Sequence, residues 1–531
     1  MFTKNFLLIL VLCTFAASCT NDTDMTEANT TTYQEQHRPQ LHFTPESKWM
    51  NDPNGMVFYE DEYHLFYQYY PDSTVWGPMH WGHSVSKDLI TWEHLPIALY
   101  PDELGIICSG SAVVDWENTS GLSEDGEPPL VALYSYHNFE IEKSGADKFQ
   151  YQGLAYSVDR GRTWKKYEGN PVLPNPGVRD FRDPKVIWDG DSDQWIMVLA
   201  AKDRIDFYGS KNLTSWYKLS SFGQNVGAHG GVWECPDLFP VWIPETGAKK
   251  WVLLVSLNPG SYNGGSGTQY FIGEFDGRRF RMDQEFGAHL ARNKTEDRPA
   301  ACWLDFGRDN YAGVTWADIP EEDGRRVFIG WMSNWDYGQV VPTGNWRSAM
   351  TLPRELNVAS TPHGPRIFQS FAAEVQQLRN ETKEFQVADG ETDVTLEGLD
   401  PTRFEIELEV LASDTGRCYL ELANDKGEYY RIGFDAAKNA YFSDRTAAGK
   451  KDFSEKFATD IHYAPKQIDG VLVQMHLILD NSSAELIADD GLVAITDLFF
   501  PNEDFNQIRL IKEDSTTGIQ RLVGHNLKGI W

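Results

Sequence analysis

The segment Ser86-Lys87-Asp88-Leu89-Ile90-Thr91-Trp92 returns twice in related form further along the chain. The related stretches are Ser157-Val158-Asp159-Arg160-Gly161-Arg162-Thr163-Trp164 and Ser210-Lys211-Asn212-Leu213-Thr214-Ser215-Trp216. The tryptophans that close the three stretches are 72 and then 52 residues apart, so the repeat is irregular in length. Repeats of several short strands each are typical of β-propeller blades. A β-sandwich could carry similar hairpins, but it would not repeat at this length.

Short strands separated by Gly, Asp, Asn and Pro turns fill the chain from residue 37 to residue 356. Three pairs of strands are predicted to form hairpins, namely 56–59 with 63–67, 186–188 with 195–199, and 238–239 with 251–255. No long amphipathic helix intervenes. The pattern therefore predicts an all-β unit over residues 37–356.

A second pattern of strands begins after a helix-like stretch at residues 367–378. Residues 404–410 and 419–422 alternate apolar and polar side chains, which indicates strands with one buried and one wet face, as in a sandwich. We place a linker with a short helix at 357–380 and a β-sandwich at 381–531. The expected fold class is all-β, a propeller followed by a C-terminal sandwich.

Each of three hairpins begins with a carboxylate beside a proline: Asn51-Asp52-Pro53, Arg182-Asp183-Pro184 and Glu234-Cys235-Pro236. Proline is tolerated there because the first residue of a strand need not donate to the ladder. In a propeller, equivalent positions on the innermost strands surround one axis, so these carboxylates should converge on one mouth. Glu234 lies one residue earlier than the aspartates, which we interpret as a difference in role, with a bulge as the alternative.

Three crowded carboxylates repel each other, and such crowding raises the proton affinity of one of them. Glycoside hydrolysis needs two carboxyl groups, one that attacks or activates water and one that protonates the leaving oxygen. The pattern therefore favours a glycosidase. The alternative is that Asp-Pro pairs merely begin turns.

The composition excludes one class of partner and fits another. The formal net charge is −31, whereas a nucleic-acid-binding surface has to be basic. The 18 tryptophans and 23 tyrosines offer flat rings that suit sugar faces, although such rings also fill β-rich cores. Four cysteines outside the N-terminal segment are scattered without CxxC pairs, which predicts neither a disulfide scaffold nor a zinc site: Cys108, Cys235, Cys302 and Cys418.

The N-terminal sequence has the pattern of an export signal. Lys4 precedes a short apolar core, 6–17, that is too short to favour a membrane-spanning helix. The following Ala16-Ala17-Ser18-Cys19 resembles a bacterial lipobox, so we predict a signal peptide over 1–19 that ends at a lipidated Cys19. Residues 20–36 are polar and predict a flexible tether. The expected location is a bacterial cell-envelope membrane; a simple signal peptide cut near Ser18 is the alternative.

At the level of motifs the chain resembles glycoside hydrolase family 32, the family of invertases, inulinases and levanases. The resemblance is carried by Trp49-Met50-Asn51-Asp52-Pro53-Asn54-Gly55, Phe181-Arg182-Asp183-Pro184 and Trp233-Glu234-Cys235-Pro236-Asp237-Leu238-Phe239. It continues through Met79-His80-Trp81-Gly82-His83, Ser109-Gly110-Ser111 and the run from Gly330 to Leu356, and is closest to bacterial levanases. The resemblance implies a five-bladed propeller.

The resemblance also implies chemistry. Asp52 would be the nucleophile, Glu234 the general acid/base, and Asp183 the stabiliser of the transition state in a retaining hydrolysis of β-D-fructofuranosidic bonds, with no metal or cofactor. Fructan polysaccharide or oligosaccharide would be the substrate, with release of single fructose units favoured over endo cleavage. Further residues would bind fructose: Asn51, Gln68, Trp76, Ser109, Arg182 and Trp335.

Several positions depart from the family pattern. Cys108 and Asn310 stand where relatives usually carry Phe, and Asp336 and Gly338 are also atypical. Smaller groups at the first two positions would widen the pocket. An endo-acting levanase is therefore an alternative prediction. Other readings are a fructosyltransferase, a non-catalytic fructan-binding lipoprotein, and a neighbouring propeller family that acts on arabinose or xylose polymers. The lipoprotein reading would require the loss of a carboxylate, and the neighbouring family lacks the motif around Asp52.

Overall fold

The computed structural model describes residues 33–124, 126–295 and 298–531. The predicted signal peptide, the lipidated Cys19 and most of the predicted tether lie outside these residues. The described residues form two short α-helices, α1 (Phe139–Lys143) and α2 (Gln284–Arg292), each capped by a side chain, Asn138 and Asp283 respectively. None of the helices in the described ranges is long and apolar enough to span a bilayer.

The strands of the first unit are short and buried along most of their length. In chain order they are β1 (Lys48–Tyr59), β2 (Glu62–Tyr70), β3 (His80–Ser86), β4 (Glu93–Leu99), β5 (Ile106–Val114), β6 (Leu130–His137), β7 (Gln150–Ser157), β8 (Lys165–Lys166), β9 (Phe181–Asp189), β10 (Gln194–Ala201), β11 (Ile205–Ser210), β12 (Tyr217–Phe222), β13 (Val232–Ile243), β14 (Ala248–Asn258), β15 (Gly267–Phe275), β16 (Phe280–Met282), β17 (Tyr311–Thr315), β18 (Val327–Met332), β19 (Trp346–Arg347), β20 (Ala349–Met350), β21 (Arg354–Thr361) and β22 (Gly364–Phe371).

These strands form five sheets that are arranged as blades. Four blades are the consecutive quartets β1–β4, β5–β8, β9–β12 and β13–β16, and the fifth contains β17, β18, β20, β21 and β22. The first strands of the blades, β1, β5, β9, β13 and β17, contact one another in a ring around the axis. The ring of blades is tied together by β19, which pairs in parallel with the start of β1. The predicted five-bladed propeller is confirmed, and so are its three hairpins.

The repeated turn has the same structure in three blades. It connects the third and fourth strands, and in each copy an Asx side chain accepts hydrogen bonds from backbone N–H groups two to four residues later: Asp88, Asp159 and Asn212. The following residue has a left-handed backbone in every copy: Leu89 (φ 63°), Arg160 (φ 60°) and Leu213 (φ 61°). The sequence repeat is therefore a repeat of one turn geometry.

The region predicted as a linker contains more strand than expected. The β21–β22 hairpin pairs Arg354 with Phe371 and completes the fifth blade, and only Ala373–Leu378 is helical, as a 3-10 turn. The apolar spacing at 367–378 arose because the end of a buried strand runs directly into that turn. The domain bounds drawn from the sequence stay predictions.

The remaining strands build the C-terminal sandwich. They are β23 (Arg379–Glu384), β24 (Asp393–Thr395), β25 (Phe404–Leu411), β26 (Arg417–Ala423), β27 (Tyr429–Asp435), β28 (Ala440–Ala447), β29 (His462–Pro465), β30 (Leu472–Asp480), β31 (Ser483–Ala488), β32 (Val493–Leu498), β33 (Gln507–Lys512) and β34 (Gly518–Leu527). Two six-stranded antiparallel sheets result, with the orders β23-β34-β25-β30-β31-β32 and β24-β33-β26-β27-β28-β29. The predicted sandwich is confirmed.

The two strands with alternating apolar and polar residues have fewer solvent-exposed side chains than their pattern indicates. Ile406 and Leu420 point into the core as predicted, but Glu405 and Glu421 on the opposite faces are also buried. Each carboxylate is covered by arginine, Glu405 by Arg379 and Glu421 by Arg431. The ion pairs let a polar face lose contact with water.

The two units meet at a seam that holds two fully buried arginines. Arg354 of the propeller donates to Glu485 of the sandwich and to Asp305, while Arg445 of the sandwich donates to Asp309 of the propeller. All of these side chains are nearly inaccessible to water. The charges cross the seam in opposite directions, so each unit supplies a cation to the other.

We expect Arg354→Met to destabilise the protein by about 3–5 kcal/mol, because the substitution leaves Glu485 and Asp305 buried without a cation. Urea unfolding followed by tryptophan fluorescence measures the change. Arg160→Met is the matched control, since that arginine is 68% exposed in its ion pair with Glu60 and should change stability little. Equal effects of the two substitutions would contradict the assignment.

Candidate active site

Three innermost strands bring the predicted catalytic carboxylates to one place. Asp52 lies in β1, Asp183 in β9 and Glu234 in β13, each within the first five residues of its strand. A register shift interrupts each ladder at that point, between Met50 and Pro53 and in the corresponding positions of the other two strands. These β-bulges turn the side chains out of the regular alternation and toward the axis.

The backbone at the bulges shows which residues of the third and fourth blades are equivalent. Asp183 and Cys235 both have left-handed backbones, with φ of 64° and 43°, and both precede a proline. The structural equivalent of Asp183 in the fourth blade is therefore Cys235, and the equivalent of Glu234 is Arg182. The bulge is present at all three sites, with Glu234 at the position beside it, and the difference in role stays a prediction.

Asp52 is buried and held by three neighbours. Ser109 donates to its Oδ2 at 2.7 Å, Asn51 donates to its Oδ1 at 3.0 Å, and the thiol of Cys235 lies 3.5 Å from Oδ2. Burial raises the pKa of the carboxyl group, the hydrogen bonds oppose that rise, and the charge of Glu234 adds to it. The hydrogen bonds also fix the orientation of the carboxylate.

Asp183 shares these surroundings. The backbone N–H of Cys235 donates to its Oδ2 at 3.0 Å, and the Cys235 thiol lies 3.6 Å from the same oxygen. Burial raises the pKa of Asp183 to about 7; Arg182 opposes the rise, whereas the charges of Glu234 and Asp52 increase it. One sulfur atom, that of Cys235, contacts both aspartates. The distance between the Oδ2 atoms of Asp52 and Asp183 is therefore at most the sum of these two contact distances.

The raised pKa of Asp183 predicts a stability that falls with pH. In the unfolded chain this group ionises near 3.8, whereas in the fold it holds its proton to about 7, so the penalty for ionisation grows as pH rises through this window. Asp183→Asn should therefore raise the free energy of unfolding by about 2 kcal/mol or more at pH 8 and change it little at pH 4. Thermal melts at both pH values test this, with the exposed Asp193→Asn as control. A gain that does not depend on pH would contradict it.

Glu234 is the most accessible of the three carboxylates, with a fifth of its side chain exposed. Arg182 donates to its Oε1 at 2.8 Å, and the hydroxyl of Tyr311 donates to its Oε2. Burial works against the charge of Arg182, but Glu234, Asp183 and Asp180 outweigh it and hold the arginine pKa well above its usual value. The site thus contains one permanent cation among its carboxylates.

Cys235 occupies the position where an aspartate stands in the third blade. Burial raises the pKa of its thiol well above the usual range, and the charges of Asp183 and Asp52 add to this effect. The thiol therefore stays neutral and can donate its single S–H, as a weak hydrogen bond, to one of the two carboxylates at a time. A third buried anion at this position would repel both aspartates.

The residues predicted to bind fructose fall into two groups. Asn51, Ser109 and Arg182 are hydrogen-bonded directly to the carboxylates, as described above. Trp76 and Trp335 are partly buried and pack with Trp49, Tyr311, Trp331 and Cys235 in one apolar cluster beside them.

Gln68 stands one step further away. It is buried and donates to Asn54, the residue that follows Pro53. Its side chain is therefore inside the propeller and not on the surface.

Two contacts of the site were not predicted. Tyr311 binds Glu234, and Ser135 accepts a hydrogen bond from the backbone N–H of Asp183 at 2.9 Å. Tyr311 is the first residue of the fifth innermost strand, and its contact depends on blade packing that has no local sequence signal. Ser135 lies inside β6 and has no local motif around it, so only the three-dimensional structure reveals its contact.

The atypical positions differ in where they lie. Cys108 is partly buried in the apolar cluster next to Trp76, so its small side chain does border the site. Asn310 is buried and donates to Asp305 of the seam, and Asp336 pairs with Arg308 and Lys456. Of these three positions, Cys108 is the one that borders the site.

One group of side chains outside the mouth has the spacing of a metal site. Within the described ranges, Glu405, Glu407 and His476 have ligand atoms within 4.8 Å of one another. Arg379 already forms ion pairs with both glutamates, so a guanidinium supplies the positive charge that an ion would bring. The cluster lies in the sandwich, away from the three carboxylates of the propeller.

Comparisons with known proteins agree with the geometry. Residues 42–370 match the model of the glycosyl hydrolases family 32 N-terminal domain, and residues 374–526 match that of the family 32 C-terminal domain. A levanase of Bacillus subtilis is 44% identical over 532 residues, which cover 99% of this chain and 75% of the levanase. An extracellular exo-inulinase of Aspergillus niger is 36% identical over 94% of this chain and 96% of its own.

A solved structure extends the likeness to three dimensions. The crystal structure of an exo-inulinase from Aspergillus awamori superposes with a TM-score of 0.84 at 34% identity, and the match covers 94% of this chain and all of that one. The similarity thus spans both the propeller and the sandwich.

Proposed function

This chain belongs to glycosyl hydrolase family 32, and from that membership we propose that it is a retaining hydrolase that removes fructose from the β-D-fructofuranosidic bonds of fructans. It is a glycoside hydrolase of fructosides. The observation that carries the proposal is the convergence of Asp52, Asp183 and Glu234 on the ring of innermost strands, where the thiol of Cys235 contacts both aspartates and Arg182 binds Glu234.

Asp52 is the proposed nucleophile. Its carboxylate attacks the anomeric carbon of the terminal fructose while the bond to the leaving oxygen breaks, and an ester to the enzyme forms. The hydrogen bonds from Ser109 and Asn51 hold both of its oxygens in place before the reaction. Such preorganisation removes the need to reorient the group during attack.

Glu234 is the proposed general acid/base. In the first step it gives its proton to the leaving oxygen, and in the second it takes a proton from water, which attacks the anomeric carbon and frees Asp52. Its partial exposure suits both tasks because the leaving sugar and the incoming water must reach it. Tyr311 and Arg182 bind its two oxygens and orient it.

Asp183 and Arg182 are proposed to complete the site. Positive charge develops on the fructose ring in the transition state, and a carboxylate close to the ring stabilises it. Asp183 and the remaining pocket residues would also bind sugar hydroxyl groups, with Trp76 and Trp335 as apolar walls. The donor set around the mouth, carboxylates paired with an arginine, supplies acid, base and nucleophile without a metal or cofactor.

Cleavage one unit at a time is the proposed mode. The relatives described as exo-inulinases support it, because the likeness to them covers nearly the whole chain. Chromatography of early products from levan and from inulin tests it: fructose alone is expected, and a ladder of oligosaccharides would show endo cleavage. The comparison of the two polymers also reveals the preferred linkage.

The stereochemical course gives a second test. A retaining mechanism requires the two catalytic carboxyl groups to lie roughly 5–5.5 Å apart and the released fructose to appear first as the β-anomer. Proton NMR of a freshly mixed reaction with sucrose in D₂O follows the anomers before they equilibrate. Initial release of the α-anomer would contradict the assignment of Asp52 as nucleophile.

We also propose that the enzyme is exported and held at a bacterial envelope membrane by a lipid on Cys19. The description of a fungal relative as extracellular supports export. The sequence around Cys19 and the polar residues after it support the anchor. Metabolic labelling with a clickable palmitate analogue, with Cys19→Ala as control, tests the lipid.

A further inference from the structure

All 18 tryptophans of the chain lie within the described residues, and only three of them are more than a third exposed. These are Trp116 (56%), Trp188 (43%) and Trp242 (57%). Trp188 and Trp242 are the penultimate residues of β9 and β13, and Trp116 follows the end of β5 by two residues. The three therefore occupy similar positions in consecutive blades.

These positions lie on the face of the propeller opposite to the active site. The carboxylates of the site are near the starts of the innermost strands, and the tryptophans are at the ends of innermost strands. Each innermost strand runs once through the propeller, so its two ends lie on opposite faces. We call this surface the tryptophan face and define it by Trp116, Trp188 and Trp242.

Each indole is held in position by a neighbour. Trp188 packs edge-on against Trp195 at 5.1 Å, and Trp116 packs against Tyr59 and donates to Asp318 at 3.1 Å. Trp242 lies next to the ammonium group of Lys249. Rings that are ordered but still half exposed can bind a partner with little loss of side-chain freedom.

The turns around the tryptophan face are acidic. Exposed carboxylates lie between the strands of each hairpin; Glu60 and Asp193 pair with Arg160 and Lys211, and no ion pair with a described residue is formed by Glu117, Glu127, Glu245 and Glu322. Such a surface repels nucleic acid, anionic lipid headgroups and acidic polymers. Carboxylates accept hydrogen bonds from hydroxyl groups, and indole faces pack against the C–H groups of sugars.

We propose that the tryptophan face is a second binding surface for the neutral fructan chain, separate from the site that cleaves it. The proposal rests on the proposed function, because it takes the polymer substrate as the partner. A polymer long enough to reach this face would be held on the enzyme while its end is in the mouth, and the two contacts would raise the effective concentration of the substrate.

Affinity electrophoresis in native gels that contain levan or inulin tests this surface. The parent protein carries Glu234→Ala so that the polymer survives the run, and the test variant adds Trp116→Ala, Trp188→Ala and Trp242→Ala. We expect the three substitutions to weaken retardation by the polymer at least fivefold. Retardation should not depend on salt between 50 and 500 mM NaCl, since the ligand carries no charge.

Kinetics of the otherwise unmodified enzyme give the second readout. The triple tryptophan variant should show a KM for polymer raised at least threefold and an unchanged kcat/KM for sucrose, which is too short to reach both surfaces. Tyr217→Ala is the matched control, because Tyr217 is 49% exposed on the outermost strand of the third blade and should change neither value.

Two results would overturn the proposal. One is a triple variant that keeps the parent's retardation and its KM for polymer. The other is sedimentation that shows a dimer of the parent that the triple variant dissolves, because a second copy would then cover the face. If the unmodified enzyme released no fructose from sucrose or polymer, the proposed function would fail instead, which is a separate outcome.

Discussion

Glu234→Ala is expected to fold normally and to lose between about 10²- and 10⁴-fold in kcat on sucrose, levan and inulin. The loss arises because the leaving oxygen is no longer protonated and water is no longer activated. The fold should survive, since the side chain is partly exposed and Arg182 keeps its ion pair with Asp180. Turnover is measured by fructose release, and folding by circular dichroism and thermal melting.

A chemical rescue separates loss of the acid/base from general damage. With an activated aryl β-fructoside, whose leaving group needs no proton, the variant should still form the ester on Asp52. Added azide should then restore turnover and give β-fructosyl azide, because an anion needs no base. The exposed Glu245→Ala serves as control. Turnover of sucrose by Glu234→Ala at the rate of the unmodified enzyme would refute the assignment.

Asp52→Ala should have an even larger effect, on the order of 10⁴-fold or more in kcat, because no ester can form. The substitution also removes the acceptor for Ser109 and Asn51, so Asp52→Asn is the companion that keeps a side chain of the same shape. Both variants should lose activity alike if the charge and nucleophilicity of the group are what matter. Kinetics with an activated aryl fructoside measure the loss.

Azide distinguishes the two roles by stereochemistry. In Asp52→Ala it can attack the fructoside directly from the vacated side, and the product should be the α-fructosyl azide, the opposite anomer to that from Glu234→Ala. NMR of the isolated azides decides between them. The same anomer from both variants, or more than a tenth of normal activity in Asp52→Asn, would show that Asp52 is not the nucleophile.

Much of the fold was accessible from sequence because its signals are local. The turn that contains Asp88 repeats with its hydrogen-bonding residue and its left-handed position, and hairpins such as β9–β10 are defined by turn residues between apolar runs. The outer hairpin of the fifth blade was missed, because the apolar residues within 367–378 have a spacing that also fits a helix. Tertiary pairing with β18 decided that ambiguity.

The site was predictable to the extent that its chemistry lies beside motifs. Asp52 and Asp183 stand directly before a proline and Glu234 stands one residue earlier, each near the start of a strand, and the structure brings them together. The structural equivalence of Cys235 and Asp183 could not be inferred from the sequence, because it depends on the bulge geometry and on a positive φ at both residues. The contact of Tyr311 depends on the packing of the fifth blade against the fourth, which has no local sequence signature.

The seam carries a consequence for how the molecule can come apart. Separating the propeller from the sandwich would remove Glu485 from Arg354 and Asp309 from Arg445. Each half would then lose an ion-pair partner that the other half supplies. The polypeptide should consequently melt as one cooperative block, with a single calorimetric peak, even though it consists of two architectures. An isolated propeller cut after residue 371 would expose Arg354 and Asp309 to solvent, and we expect it to accumulate as insoluble protein.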